Sequence, residues 1–295
     1  MKIEMNAIEI NSQALDALEN GDFFTAQRLF RENCCSKDYR AINNMGVFYI
    51  ENGLTKSDGK IVSAIAYGKK YIKKAYEKNR SETVLFNMGM IAAQFDKDYK
   101  SAVEFYKEAY SINESDDAFY NICACLYRSA MYQSVIGLME RCDLSKADNC
   151  LLYSFSLLAL DPLKFTAQFK ASEIKKTDID DDFKIILLYF ADKKEILLND
   201  IYDFLNDWSP DDYMWAVIIE ILEENHVQHE TIINIIEQAA DGYSDENNII
   251  KNAVRHLKSP LDREKYIRSG VSHYFVPVFK KRCGYFGCPI HHTDW

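Results

Sequence analysis

Apolar residues recur along most of this chain at helical spacing. In "YKSAVEFYKEAYSIN" Ala102, Tyr106 and Ala109 fall at i, i+4 and i+7, on one helix face. "TDIDDDFKIILLYFADKKEILLNDIYDFLNDW", from Thr177, reads as two further helices. "SPDDYMWAVIIEILEEN" opens with Ser209 as N-cap, Pro210 at the first helical position and acids in the first turn. "HETIINIIEQAADGY" is a helix expected to stop at Gly242, and "DENNIIKNAVRHL" is another that runs to Ser259–Pro260. The pattern breaks after Pro260. Gly270, Pro277, Gly284, Gly287 and Pro289 crowd the remainder, so regular helix is not expected near the end. "SHYFVPVF" reads as a short strand or an extended segment packed on the helices.

Within the helical part a repeat is visible. "AINNMGVFYIENG" from Ala41, "VLFNMGMIAAQF" from Val84 and "AFYNICACLYRSAMY" from Ala118 each carry Asn, an apolar residue and a small residue. The small residues are Gly46, Gly89 and Cys123. Each segment precedes a second helical pattern: "SAIAYGKKYIKKAYE", "YKSAVEFYKEAYSIN" and "YQSVIGLMERC". "GDFFTAQRLFREN", with Ala26 and Phe30, matches the second helix of an earlier unit.

This helix–turn–helix spacing resembles the tetratricopeptide repeat (TPR). The extra "LTKSDGKIV" before the second helix of the 41–77 unit resembles the longer Sel-like variant. The resemblance covers about residues 10–142, four units, with a degenerate fifth at 149–175 that opens on "LLYSFSLLALDP". It implies an all-α helical-hairpin solenoid, because stacked pairs bury a core that one pair cannot. The expected organisation is repeats over 1–142, a degenerate repeat and further helices over 143–260, and a short irregular Cys/His tail over 261–295.

The resemblance also implies a concave groove lined by first helices. Asn44, Asn87 and Asn121 occupy one position in three successive repeats, two residues before the small position. An amide side chain both donates and accepts, so it can pair with a peptide unit of any sequence. By repeat register the neighbouring groove positions are Asn43, Val47, Phe86, Met90, Tyr120, Ala124 and Arg128, an apolar and aromatic lining with one cation. Asn43 and Asp117 stand where a grip on a C-terminal carboxylate would need basic residues. An apolar segment or helix of a protein partner is the expected occupant.

Composition excludes several classes. Net charge is −10, which disfavours nucleic-acid and anionic-membrane partners. "KKYIKK" at 69–74 and "FKKRC" at 279–283 are the densest basic stretches and read as solvated helix faces. No apolar run reaches membrane-span length and the start carries acids rather than a leader, so a cytoplasmic chain with reduced thiols is expected; export without a cleaved leader stays open. Cys123 and Cys125 read as small core residues. Asp178, Asp180, Asp181 and Asp182 suggest a calcium loop. Counting from Asp178, however, Phe183 replaces its glycine and Tyr189 its closing glutamate, and helix-start acids account for them. His226, His229 and Glu230 have the wrong spacing for a zinc protease. No phosphate loop or nucleophile elbow is present in the sequence, so an enzyme rests on the tail alone, and the balance leans to a non-enzymatic adaptor.

The tail, "CGYFGCPIHHTDW", sets Cys283, Cys288, His291 and His292 close together. These are ligand types that zinc takes. Adjacent histidines point apart, so one of the pair is the expected ligand, with the other histidine, Asp294, the terminal carboxylate or His273 as the fourth. Three readings stand: a structural zinc knuckle, a metal-free tail packed through Tyr285, Phe286, Ile290 and Trp295, and a reactive site acting on a peptide held by the solenoid.

Overall fold

The structure, a computed structural model, describes residues 6–55, 61–193, 196, 198–208, 210–241, 243, 245–291 and 293–295. The chain divides into two compact units. One runs to Ser129 and takes in Val278–Trp295; the other is Ala130–Pro277.

The first unit holds α1 (Ala7–Glu19), α2 (Phe23–Asn33), α3 (Tyr39–Asn52), α4 (Ile65–Lys78), α5 (Glu82–Met90), α6 (Tyr99–Ile112) and α7 (Asp116–Arg128). α1 and α2, α3 and α4, and α5 and α6 form hairpins, and each hairpin packs on the next first helix in the chain. The turns show why the sequence folds this way. Gly21 and Lys97 take left-handed φ values of 74° and 56°. Asp22 and Asp98 then cap α2 and α6 by accepting from the backbone N–H of Thr25 and Ser101. The two glycines among the small repeat positions, Gly46 and Gly89, are steric necessities. A Cβ on Gly89 would lie 2.7 Å from the Tyr106 ring, which packs edge-on against Phe86. The fold is TPR-like. The extra residues between α3 and α4 include a two-stranded antiparallel ribbon, Leu54–Thr55 with Ile61–Val62, in which Leu54 pairs with Val62.

The second unit holds α8 (Tyr132–Met139), α9 (Ala147–Leu160), α10 (Pro162–Gln168), α11 (Ala171–Ile174), α12 (Asp181–Asp192), α13 (Leu198–Asp207), α14 (Asp212–Glu224), α15 (His229–Ala240), α16 (Glu246–Lys258) and α17 (Pro260–Tyr274). α9 and α10 pack together where a degenerate repeat was expected. α14 packs on α12, α15, α16 and α17 and buries Trp215, Ile218 and Ile219. Arg263 is a buried cation: its guanidinium donates to Glu220 (2.8 Å), to the His256 carbonyl (2.9 Å) and to Glu223.

Two expectations need revision here. α14 is capped by Asp211, whose carboxylate accepts from Met214 N–H at 2.8 Å; Ser209 and Gly242 lie outside the described residues. Regular structure persists past Leu261, as α17, and the irregular segment begins at Phe275. The glycine in α17 marks a contact rather than a break, since a Cβ on Gly270 would lie 2.7 Å from the Tyr213 ring. Of the two expectations for "SHYFVPVF", no strand forms: its start ends α17, and from Phe275 it is a non-helical segment packed on the helices, with Phe275 stacked on Phe155 at 5.1 Å. Among the described residues no helix is long and apolar enough to cross a membrane.

Candidate functional site

In the first unit the first helices of the hairpins, with α7, line a groove, and the chain's own tail lies in it. Asn44, on α3, is fully buried and treats Phe286 as a paired strand would. Its Nδ2 donates to the Phe286 carbonyl (2.9 Å) and its Oδ1 accepts from the Phe286 N–H (2.8 Å). Asn121, on α7, repeats the device on Lys280, with bonds of 3.0 Å to the carbonyl and 2.7 Å from the N–H. Asn87, on α5, donates to the Gly284 carbonyl at 3.0 Å, and Asn43 reaches the same oxygen at 2.8 Å. All three members of the asparagine column therefore bind main chain.

The asparagines also brace one another. Asn87 donates to Asn43 Oδ1 (3.0 Å), and Asn44 donates to Asn11 Oδ1 (2.8 Å). Asn11, on α1, donates in turn to the Phe286 carbonyl at 3.0 Å. Asn11 escaped the sequence reading, although it precedes Asn44 by 33 residues, close to one repeat. Gly284 is the reason the tail can approach so closely. A Cβ there would lie 2.8 Å from Asn87 Oδ1 and 3.1 Å from Val47 Cγ2.

Three of the other groove positions, Phe86, Tyr120 and Arg128, meet side chains of the tail. The Arg282 guanidinium lies 3.9 Å from the Phe86 ring centre and pairs with Glu82. Lys280 Nζ sits 5.2 Å over Tyr120, and Arg128 lies 6.0 Å from the Phe279 ring. Met90 is half-buried on the end of α5. The basic stretch 279–283 is thus not a solvated helix face. Lys280 and Arg282 lie against groove aromatics, in a segment with no helix. Beyond them Tyr285 stacks on Phe30 at 5.7 Å, and Phe286 meets Tyr39 edge-on at 5.5 Å. Burial, and then Glu51, push the Tyr285 hydroxyl well above the ordinary tyrosine range, so it stays protonated.

The last residues fold back on themselves. Thr293 Oγ1 donates to the Tyr285 carbonyl (2.8 Å) and accepts from Cys288 N–H (2.6 Å), while Gly287 N–H reaches the Asp294 carbonyl at 3.1 Å. Gly287 has φ 68°, the left-handed value this turn needs. Trp295 ends against the Arg40 guanidinium at 5.1 Å. This turn brings the Cys283 and Cys288 sulfurs and a His291 nitrogen within 4.8 Å of one another, with Cys288 Sγ to His291 Nδ1 at 3.2 Å. They are the one such group of three among the described residues. His292 lies outside the described residues, and the Asp294 main chain serves the turn. Burial pushes the Cys283 thiol up to about 11. His229 instead pairs with Glu223 at 2.9 Å, close to the start of α15.

No family model and no curated protein matches the sequence. One solved structure it resembles is a tetratricopeptide repeat protein from Parabacteroides merdae. The likeness spans 84% of this chain and 98% of that one, at 14% identity and a TM-score of 0.49.

Proposed function

We propose that the first unit is a peptide-binding module of adaptor or regulatory type, and that Val278–Trp295 is its built-in ligand. A protein partner then binds as an extended segment that displaces the tail. The observation that carries this reading is the pair of two-way amide contacts, Asn44 with Phe286 and Asn121 with Lys280. Both satisfy the N–H and the C=O of one residue. That is backbone recognition, independent of side chain, and it is what sheet-edge recognition achieves by other means. Selectivity comes from the aromatic contacts at Phe279, Tyr285 and Phe286. The competing reading, in which the solenoid presents a substrate to the tail cysteines, needs a peptide beside Cys283 and Cys288. The tail's own Gly284–Phe286 already fills that stretch of groove.

The test starts from the intact folded chain, with a protease site inserted at exposed Val278. After cleavage the severed tail should stay bound through gel filtration and exchange with a labelled peptide of residues 279–295. In the Asn44→Ala, Asn87→Ala, Asn121→Ala variant it should separate while the helical signal persists. Equal retention in both proteins would sink the assignment.

A further inference from the structure

We infer that Cys283, Cys288 and His291 form a zinc site that sets the tail turn in the shape the asparagines read. The ligand assignment stands on the tail geometry alone; the effect on the groove rests on the proposed peptide-binding reading.

Two thiolates and an imidazole are a borderline-soft set, which suits zinc and excludes magnesium or calcium. Zinc–sulfur and zinc–nitrogen bonds of about 2.3 and 2.0–2.1 Å, at tetrahedral angles, put ligand atoms roughly 3.5–3.8 Å apart. The three atoms lie within 4.8 Å, and one pair is at 3.2 Å, so side-chain adjustments of an ångström or less complete the set. The two thiol protons leave as the ion binds, so the loaded centre is neutral. The fourth place falls to solvent, which reaches the site through the cavity that the three ligands line.

The position of the site gives it its role. Cys283 and Cys288 bracket Gly284, Tyr285 and Phe286. Those residues carry the Gly284 carbonyl bound by Asn43 and Asn87, and the Phe286 peptide groups bound by Asn44 and Asn11. Joining the bracketing sulfurs through one ion closes a short loop and removes the chain entropy that seating this segment would otherwise cost. By reciprocity, a seated tail binds the ion more tightly than a free one. Zinc loading therefore favours the self-occupied groove, and zinc loss favours an open one.

The full chain, kept reduced, is titrated with zinc chloride at neutral pH and its bound metal counted. One zinc per chain is expected, with release of two protons read by calorimetry in two buffers. Cobalt in place of zinc should give a thiolate charge-transfer band. Cys283→Ser and Cys288→Ser should each weaken zinc at least tenfold, and His291→Ala should do so without loss of the helical signal. Zinc should also slow amide exchange at Phe286 on the order of tenfold. The site is refuted if the reduced chain takes up no stoichiometric zinc, or if Cys283→Ser binds it as well as the parent. The coupling is refuted if zinc binds and Phe286 exchange is unchanged. The groove reading fails separately, if Asn44→Ala leaves that exchange unchanged in the metal-free protein.

Discussion

Replacing Asn44 by alanine isolates the groove's contribution to holding the tail. The side chain is fully buried and makes two bonds to Phe286. Its loss has unequal effects on the two peptide groups. The Phe286 carbonyl keeps the bond from Asn11 Nδ2 at 3.0 Å. The Phe286 N–H has Asn44 Oδ1 as its partner and is left buried without it. A stranded buried donor costs about 1–3 kcal/mol, against about 0.5–1.5 kcal/mol for an ordinary bond lost to water. Taking the stranded donor as the larger effect, the tail's release equilibrium should rise roughly 5- to 150-fold. Amide exchange on the metal-free protein reads this directly. Phe286 and its neighbours should exchange faster by that factor, while amides at the centres of α5 and α6 should keep their protection. Uniform acceleration across the first unit would show that Asn44 holds the fold rather than the tail. No acceleration at all would show that the amide pair contributes nothing, and the groove reading would fail with it.

Four further outcomes follow from the same geometry. Gly284→Ala should release the tail as Asn44→Ala does, because its Cβ would meet Asn87 and Val47 at 2.8 and 3.1 Å; exchange at Lys280 and Phe286 checks this, and full protection would refute it. Arg263→Ala leaves Glu220 and Glu223 without their buried partner, so the second unit should lose about 3–5 kcal/mol and roughly 6–20 °C of melting temperature, by calorimetry. The Arg40 hydrogen bond holds the Asp38 carboxyl below its usual 3.8, so the stability it lends is complete above that pH and fades as pH falls through the depressed value. Asp38→Asn should remove that acid-dependent step, followed by the NMR indole signal of Trp295, which packs on Arg40. Among the thiols, exposed Cys35 should alkylate first at neutral pH, while Cys34 and Cys125, both pushed by burial to about 12, should react only on unfolding, as mass spectrometry of labelled peptides will show.

The repeat register was legible because it is a local steric code. Gly89 must be small to admit Tyr106, and Asp22 and Asp98 must accept from the first turn of the next helix, so each leaves a mark at a fixed offset. The asparagine column was legible for the same reason, one residue type at one position in successive units. What fills the groove was not. Asn44 and Phe286 are 242 residues apart, and no periodicity links a repeat to an irregular segment that appears once. The tail misled in two specific ways. Gly270 looked like a breaker but is a helix-packing position beneath Tyr213. Lys280 and Arg282 looked like solvent-facing charge, yet cation–π contacts with Tyr120 and Phe86 hold them in the groove. Asn11 was missed because α1 lacks the small residue that flagged the other three.

On the proposed reading, a ligand carried on the same chain changes what a partner must do. A tethered segment competes at an effective concentration on the order of millimolar. A free peptide making identical contacts at about 1 μM would then occupy roughly one groove in a thousand. It cannot gain much through the backbone, because the asparagines read any main chain alike. The surplus must come from side chains better than Phe279, Tyr285 and Phe286, or from weakening the tail. The second route is the more economical one here. Asn11, Asn43, Asn44 and Asn87 all grip the tail between Cys283 and Cys288, so whatever governs those two sulfurs also governs most of the hold on the tail. A partner tenfold short of displacing the tail in the metal-loaded state would reach half-occupancy once the ion is removed, if zinc contributes that factor of about ten. Selectivity and control would then sit in different residues: the groove aromatics choose the partner, and the tail cysteines decide when the choice is offered.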